Sequence, residues 1–227
     1  MKLWLVRHAQ PLVAPGICYG RLDLAADATA TADCARRLAL ELPAGIRVIT
    51  SPLQRCTQLA QALQALRPDL ACHPDKRLQE MDFGRWEGRA WQDIEQAELQ
   101  AWTDDFAHYA VGSSGSSGSS GESVSVFMAR VGAAFDALGT AHVSKPQRPS
   151  QALTPACAHE PQDKSPEAPE NATLWITHAG VIRAAGLLAQ GIRHIDHARQ
   201  WPLTAPNYGQ WQTLELDSRP APAAKPS

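Results

Sequence analysis

Leu3-Trp4-Leu5-Val6 is an unbroken apolar run, closed at once by polar residues and by Pro11. A strand buried on both faces reads this way, because successive side chains enter two packed layers in turn. From Thr29 to Leu42, alanine and leucine recur at helical spacing, and Pro43-Ala44-Gly45 is a strong stop. Ile46–Thr50 predicts the next strand. Ser51-Pro52 then offers an N-cap and a proline at the first helical position, and the stripe Leu53, Cys56, Leu59, Leu63, Leu66 predicts a helix ending at Pro68. Leu70–His73 is a weak strand. Trp91–Trp102 and Ser123–Leu138 are predicted helices, Thr173–Thr177 a second buried strand, and Val181–Gln190 a helix. Trp211–Leu216 predicts a last strand, at an edge. The alternation of strand and helix predicts an α/β fold with a mostly parallel sheet.

Two stretches stand outside this pattern. Gly112–Gly121 reads GSSGSSGSSG, with the composition of a flexible linker and the regularity of an engineered one, and it is set aside in reading the fold. Residues 142–171 are rich in Pro, Gln, Ser and Glu and lack apolar periodicity, which predicts a disordered insertion or long surface loop. The Pro/Ala-rich residues 219–227 are expected to fray. A chain of 227 residues, 44% of them apolar, can build one generous core, so a single domain over residues 1–218 is expected.

Charge and cysteine usage narrow the chemistry. A formal net charge of -2 argues against generic binding of nucleic acid or an anionic membrane. No apolar run approaches the roughly 20 residues that span a bilayer, and the segment before Arg7 is too short for a secretory signal. The five cysteines, Cys18, Cys34, Cys56, Cys72 and Cys157, are scattered and form no CxxC pair. That is the pattern of reduced thiols in a cytoplasmic protein, each expected to be an ordinary core or surface residue. His194 and His197 have i,i+3 spacing but no further metal-ligand motif, and are read as solvated histidines at a helix end.

Three segments share one design: a buried strand ends, and a charged or titratable residue follows where a helix begins. They are Leu5-Val6-Arg7-His8, Ile49-Thr50-Ser51-Pro52-Leu53-Gln54-Arg55 and Trp175-Ile176-Thr177-His178-Ala179-Gly180. Strand ends of this kind line the ligand crevice of open α/β sheets, so Arg7, His8, Arg55 and His178 can converge. Arg55 sits near a helix start, where the macrodipole disfavours a cation unless an anion is bound. Nearby arginines bias His8 toward the neutral imidazole that attack on phosphorus requires. Phosphoryl transfer asks mainly for positioning and charge stabilisation, which these cationic donors can give without a metal. An acid for the leaving oxygen is still needed. Glu80, Asp82 and Glu87 in Leu78–Gly88 are candidates, and spacing does not choose among them.

With these residues assembled, the chain resembles the histidine phosphatase superfamily, with a phosphoglycerate mutase-like fold. The matching pieces are Leu5-Val6-Arg7-His8-Ala9, Ser51-Pro52-Leu53-Gln54-Arg55-Cys56-Thr57, the Glu80 segment, and Thr177-His178-Ala179-Gly180-Val181-Ile182-Arg183. The resemblance implies a three-layer α/β/α sandwich and a phosphomonoesterase working through a phosphohistidine. It implies His8 as nucleophile, Arg7, Arg55 and His178 as phosphoryl ligands, and Glu80 as acid and later base. It implies no cofactor, no metal, a small-molecule phosphate ester as partner, and admits a homodimer. Gly16–Asp23, which contains Tyr19 and Arg21 as further substrate-binding candidates, together with Glu80–Gly88 and Gly121-Glu122-Ser123, resembles alpha-ribazole phosphatases of cobalamin synthesis. Ala9 stands where glycine is usual, Gln10-Pro11 where Glu-Thr or similar is common, and Ala14 where many members carry a phosphate-contacting Asn, which bears on substrate subclass. A phosphoglycerate mutase is the enzymatic alternative, disfavoured by the short loop after Glu80. A catalytically silent phospho-ligand-binding member is the other, disfavoured because all five roles are filled.

Overall fold

The computed structural model describes residues 1–112, 120–140 and 172–216. Its centre is a five-stranded sheet in the order β3-β2-β4-β1-β5. The strands are β1 (Lys2–Arg7), β2 (Arg47–Thr50), β3 (Cys72–Pro74), β4 (Ala172–Thr177) and β5 (Trp211–Glu215). All neighbours pair in parallel except β5, which runs antiparallel to β1 along the edge. The helices are α1 (Ala28–Glu41), α2 (Gln54–Leu66), α3 (Gln96–Asp104), α4 (Val124–Thr140) and α5 (Ala179–Ala189).

The alternation within β1 explains the layers. Leu3 and Leu5 face one side and pack with Ile49, Trp175 and the apolar faces of α4 and α5. Trp4 and Val6 face the other and pack with Val48, Leu174, Ile176 and the buried stripes of α1 and α2. The run without polar interruption is therefore what a sheet covered on both sides demands. Full burial of a side chain such as Leu3 or Leu5 contributes about 1.5–3 kcal/mol. The strand ends Arg7, Thr50 and Thr177 lie on neighbouring strands, and the chain leaves each toward the same end of the sheet.

Two predicted elements are corrected. The helix expected to open at Ser51-Pro52 starts instead at Gln54. Ser51 Oγ accepts from Leu53 N at 3.3 Å, and the orphan amide of Gln54 donates to Asp23 Oδ1 at 2.6 Å, so the cap comes from a distant loop. The helix expected over Trp91–Trp102 is broken: Trp91–Asp93 is a 3-10 turn, Ile94 is extended, Glu95 is the non-helical N-cap, and α3 begins at Gln96. Tertiary pairing overrides helical periodicity there, since Trp91 N donates to Gly16 O at 2.9 Å and Cys18 N to Arg89 O at 2.7 Å. His194 and His197 are both exposed; His194 lies in a loop, and His197 is the N-cap of the 3-10 turn Ala198–Gln200. Cys18, Cys34 and Cys56 are buried and Cys72 half-buried, all as free thiols. Cys157, the Ser/Gly residues 113–119, the insertion 142–171 and the 219–227 tail lie outside the described residues.

The loop Gly20-Arg21-Leu22-Asp23 is tied to the sheet end by one carboxylate. Glu87 accepts from the backbone N–H groups of Gly20, Arg21, Leu22 and Phe83 at 2.8–2.9 Å. Gly20 has to be glycine, because a Cβ there would sit 1.9 Å from the Met81 carbonyl oxygen. Replacing Glu87 by Ala leaves these donors to water, at a cost of about 1–3 kcal/mol. Urea unfolding should show the midpoint falling accordingly, with the stability of Glu87→Gln intermediate. An unchanged Glu87→Ala midpoint would mean that the carboxylate does not organise this loop.

Candidate active site

Arg55, in the first turn of α2, is the centre of the site and is completely buried. Nη1 donates to Leu22 O at 2.7 Å and Nη2 to Gly20 O at 2.5 Å. Its Nε–H is shared between His8 Nε2, at 3.2 Å, and His178 Nδ1, at 3.3 Å. The two imidazole centroids are 5.1 Å apart. The strand ends thus bring both histidines and this guanidinium into one cluster.

The partners fix the proton positions. His8 Nδ1 lies 2.7 Å from the Ala9 carbonyl oxygen, which can only accept, so Nδ1 carries the hydrogen and Nε2 keeps its lone pair. His178 Nδ1 accepts from Arg55, so its Nε2 carries the hydrogen and donates to Ser51 Oγ at 2.8 Å. Both rings are neutral on this assignment. Electrostatics agree: burial, and then Arg55, push His8 down to about 3, with Arg7 acting the same way and the Ala9 bond opposing it. Burial and Arg55 also hold His178 well below the usual histidine value. Cys56 Sγ lies 3.5 Å from His178 Nε2, and burial pushes its thiol up to about 12, so it remains protonated.

Above the cluster is a cavity of about 280 Å³ lined by Arg7, His8, Tyr19, Arg55, Glu80, Trp91 and Arg183, among others. His178 is 1% exposed and lies behind this wall. Arg7 Nη1 donates to Pro206 O at 3.1 Å, its guanidinium carbon sits 3.8 Å from the Tyr208 ring centroid, and its buried Nε has no partner among the described residues. Tyr19 and Tyr208 join through their hydroxyls; burial, then this bond, raise the Tyr19 pKa.

The carboxylates left open by spacing separate by contact. Glu87 is committed to the Gly20–Asp23 loop. Asp82 accepts from Gly84 N at 2.8 Å and pairs with Arg21 at 3.2 Å. Glu80 alone of the three lines the cationic cavity. It accepts from Gly180 N at 2.9 Å and Met81 N at 3.1 Å. Gly180 makes this approach possible, since a Cβ there would lie 2.2 Å from Glu80 Oε1. Arg130 holds the acid segment from below, donating to the carbonyls of Arg77 and Gln79 at 2.9 Å and pairing with Glu122 at 2.7 Å. Arg21 is different: its head pairs with Asp82 and it is not among the residues lining the cavity.

Sequence reasoning did not single out Tyr208, Ser51 or Arg183 as site residues. Arg183 follows Gly180 by one helical turn, so helical spacing alone could have placed it beside the Glu80 carboxylate. Nothing local marked Tyr208, which reaches Arg7 from a loop some 200 positions away in the chain. Among the described residues no group of His, Cys, Asp and Glu has the arrangement of a metal site, and no helix is long and apolar enough to cross a membrane.

Comparison with known proteins bears on the fold and on the family. No curated protein matches the chain significantly. Among solved structures, a mycobacterial glucosyl-3-phosphoglycerate phosphatase in complex with VO3 superposes with a TM-score of 0.69, at 20% identity over 94% of this chain and 90% of that one. Mycobacterial hydrolase 1 gives 0.68 at 20% identity over 93% and 87%. TTHB049 of Thermus thermophilus gives 0.59 at 23% identity over 96% of both chains. At such identities the likeness speaks for the fold. The sequence model of the histidine phosphatase superfamily (branch 1) matches residues 3–146, and with that match the chain belongs to this superfamily.

Proposed function

We propose that the protein is a phosphomonoesterase that passes a phosphoryl group from an ester to His8 and then to water. The observation that carries this reading is the Arg55 Nε–H directed at His8 Nε2 from 3.2 Å, at the floor of a cavity whose wall includes Glu80. A phosphoryl oxygen is a better acceptor than an imidazole nitrogen, so an arriving ester takes the Arg55 Nε–H and frees the His8 lone pair. Arg7, whose Nε has no partner among the described residues, supplies a second cationic donor. Burial and then the Arg55 field keep His178 neutral; the entering dianion offsets that field, so His178 gains a proton on Nδ1, the ring nitrogen turned toward Arg55 beside His8 Nε2, and donates it to an equatorial oxygen of the phosphoryl group bound there.

The chemistry then balances in two steps. Nε2 attacks phosphorus as the ester P–O bond breaks, and protonated Glu80 delivers its proton to the leaving oxygen. Glu80, now a carboxylate, takes a proton from water while the water oxygen attacks phosphorus. The P–N bond breaks, releasing inorganic phosphate and neutral His8. Cytoplasmic residence fits the free thiols, and Tyr19 sits where it can touch the substrate. Alpha-ribazole 5'-phosphate is the candidate substrate that the Gly16–Asp23 and Glu80–Gly88 segments favour.

Hydrolysis of p-nitrophenyl phosphate should continue in excess chelator, and rapid quenching should trap an acid-labile phosphate on His8. His8→Ala should lower kcat by about a thousandfold or more. Retention of activity within tenfold would exclude His8 as nucleophile. Glu80→Gln should slow alkyl esters by about a hundredfold and p-nitrophenyl phosphate much less, since a good leaving group needs little protonation. Equal losses for both would assign the acid to another residue.

The neutral His8 also predicts a pH dependence. Its folded pKa of about 3 lies below the unfolded value of 6.5, so the unfolded chain binds more protons below pH 6.5. The stabilising contribution is intact above pH 6.5 and is lost as pH falls from there toward 3, at up to about 1.4 kcal/mol per pH unit. Urea midpoints at pH 7 and pH 5 should therefore differ more for the wild type than for His8→Asn. Equal acid sensitivity in the two proteins would mean that His8 titrates normally.

A further inference from the structure

A second cavity, of about 370 Å³, opens beside the cationic one, and Tyr19, Glu80 and Arg183 line both. Its wall is a continuous chain of rings. Phe83 meets Trp102 at 6.2 Å between centroids, Trp102 meets Phe106 at 5.4 Å, Phe106 meets Trp201 at 6.4 Å, and Trp201 meets Phe127 at 6.2 Å. Phe106 and Phe127 are buried, whereas Phe83, Trp102 and Trp201 keep part of their surface uncovered. The polar groups of this cavity, Glu80, Arg183 and Tyr19, lie on the side shared with the phosphoryl site, apart from Thr103.

We infer that this cavity receives the alcohol portion of the substrate, and that this portion carries a flat aromatic or heteroaromatic ring system. The inference rests on the phosphatase reading, because that reading puts the scissile oxygen beside Glu80, at the junction of the cavities. With the phosphoryl group among Arg7, His8 and Arg55, the carbon side of the ester has the aromatic chamber before it. A small hydroxy acid or polyol would leave its hydroxyl or carboxylate groups against ring faces and edges, losing hydration without recovering hydrogen bonds. A planar ring gains offset and edge contacts with rings already braced against one another, and loses little conformational freedom on binding. The volume sits toward the lower end of the roughly 300–1,000 Å³ of pockets for drug-sized ligands, which suits one ring system rather than a long chain. Arg183, whose buried Nε has no partner among the described residues and whose Nη2 donates to Leu203 O at 2.9 Å, is placed to bond a hydroxyl between ring and phosphate.

The test compares esters of similar leaving-group basicity: 2-phenylethyl, n-octyl and ethyl phosphate. kcat/KM should be at least tenfold higher for the phenylethyl than for the ethyl ester, chiefly through KM, with the octyl ester below the phenylethyl. Trp201→Ala should shrink the phenylethyl-to-ethyl ratio at least fivefold, and Phe106→Leu should shrink it in the same direction. Binding of the non-hydrolysable 2-phenylethylphosphonate and ethylphosphonate, measured by titration calorimetry, decides the subsite independently of turnover. Equal affinities for the two phosphonates, or preference for the octyl ester, would overturn the aromatic assignment while leaving phosphatase activity intact. Preferential phenylethylphosphonate binding without hydrolysis of any ester would instead refute the phosphatase reading and keep the subsite.

Discussion

The site depends on one buried cation compensated by dipoles alone. Arg55 has no exposed surface, and among the described residues no carboxylate lies within ion-pairing distance of it. Its hydrogen bonds go to the Gly20 and Leu22 carbonyls and to two imidazoles. Removing a full charge from water without a counter-ion is costly, and backbone dipoles offset only part of that cost. Burial first, and then the remaining positive potential, keep both imidazoles neutral, and that potential makes an anion the natural complement of the cavity. Stability is given up locally, and what is gained is a preorganised cationic field already aimed at the cavity.

The surrounding architecture follows from the need to hold that guanidinium still. Glu87 gathers the amides of the Gly20–Asp23 loop, which turns two carbonyls of that loop toward Arg55. Asp23 then caps α2, the helix on which Arg55 rides, so loop and helix lock each other. Ser51 Oγ binds His178 Nε2 and the Leu53 amide, setting the second imidazole and the approach to α2 together. On the far side Gly180, at the start of α5, binds the Glu80 carboxylate, and Arg130 fixes the segment that carries it. His178 and Glu80 are thus each held by neighbours outside the cationic cluster, Ser51 for the one and Gly180 for the other.

Much of this was legible in the chain, for identifiable reasons. The run Leu3–Val6 and the run Thr173–Thr177 announce strands covered on both faces, and a parallel sheet brings their ends together. That is why Arg7, His8 and His178 could be placed without coordinates. Where a contact is set by distant pairing, local pattern fails. Ser51-Pro52 has the composition of a helix start, yet Asp23 supplies the cap. Trp91–Trp102 has helical periodicity, yet the 16–18 loop claims its first residues. Spacing left Glu80, Asp82 and Glu87 open and only the family resemblance pointed to Glu80, because which carboxylates are engaged elsewhere is set by contacts with distant segments. Arg21 shared a motif with Tyr19 but turns to Asp82, because adjacent residues of a loop need not face the same way.

The claim that can be checked most directly is the shared Arg55 Nε–H between two uncharged imidazoles. Nitrogen-15 NMR of ring-labelled histidine, assigned with His8→Asn and His178→Asn variants, reports the proton on each ring nitrogen. At pH 6 the account predicts a neutral His8 with hydrogen on Nδ1 and a neutral His178 with hydrogen on Nε2. Addition of orthovanadate should then protonate His178. A charged imidazolium at either position in the free protein, or a His8 bearing its hydrogen on Nε2, would contradict the account.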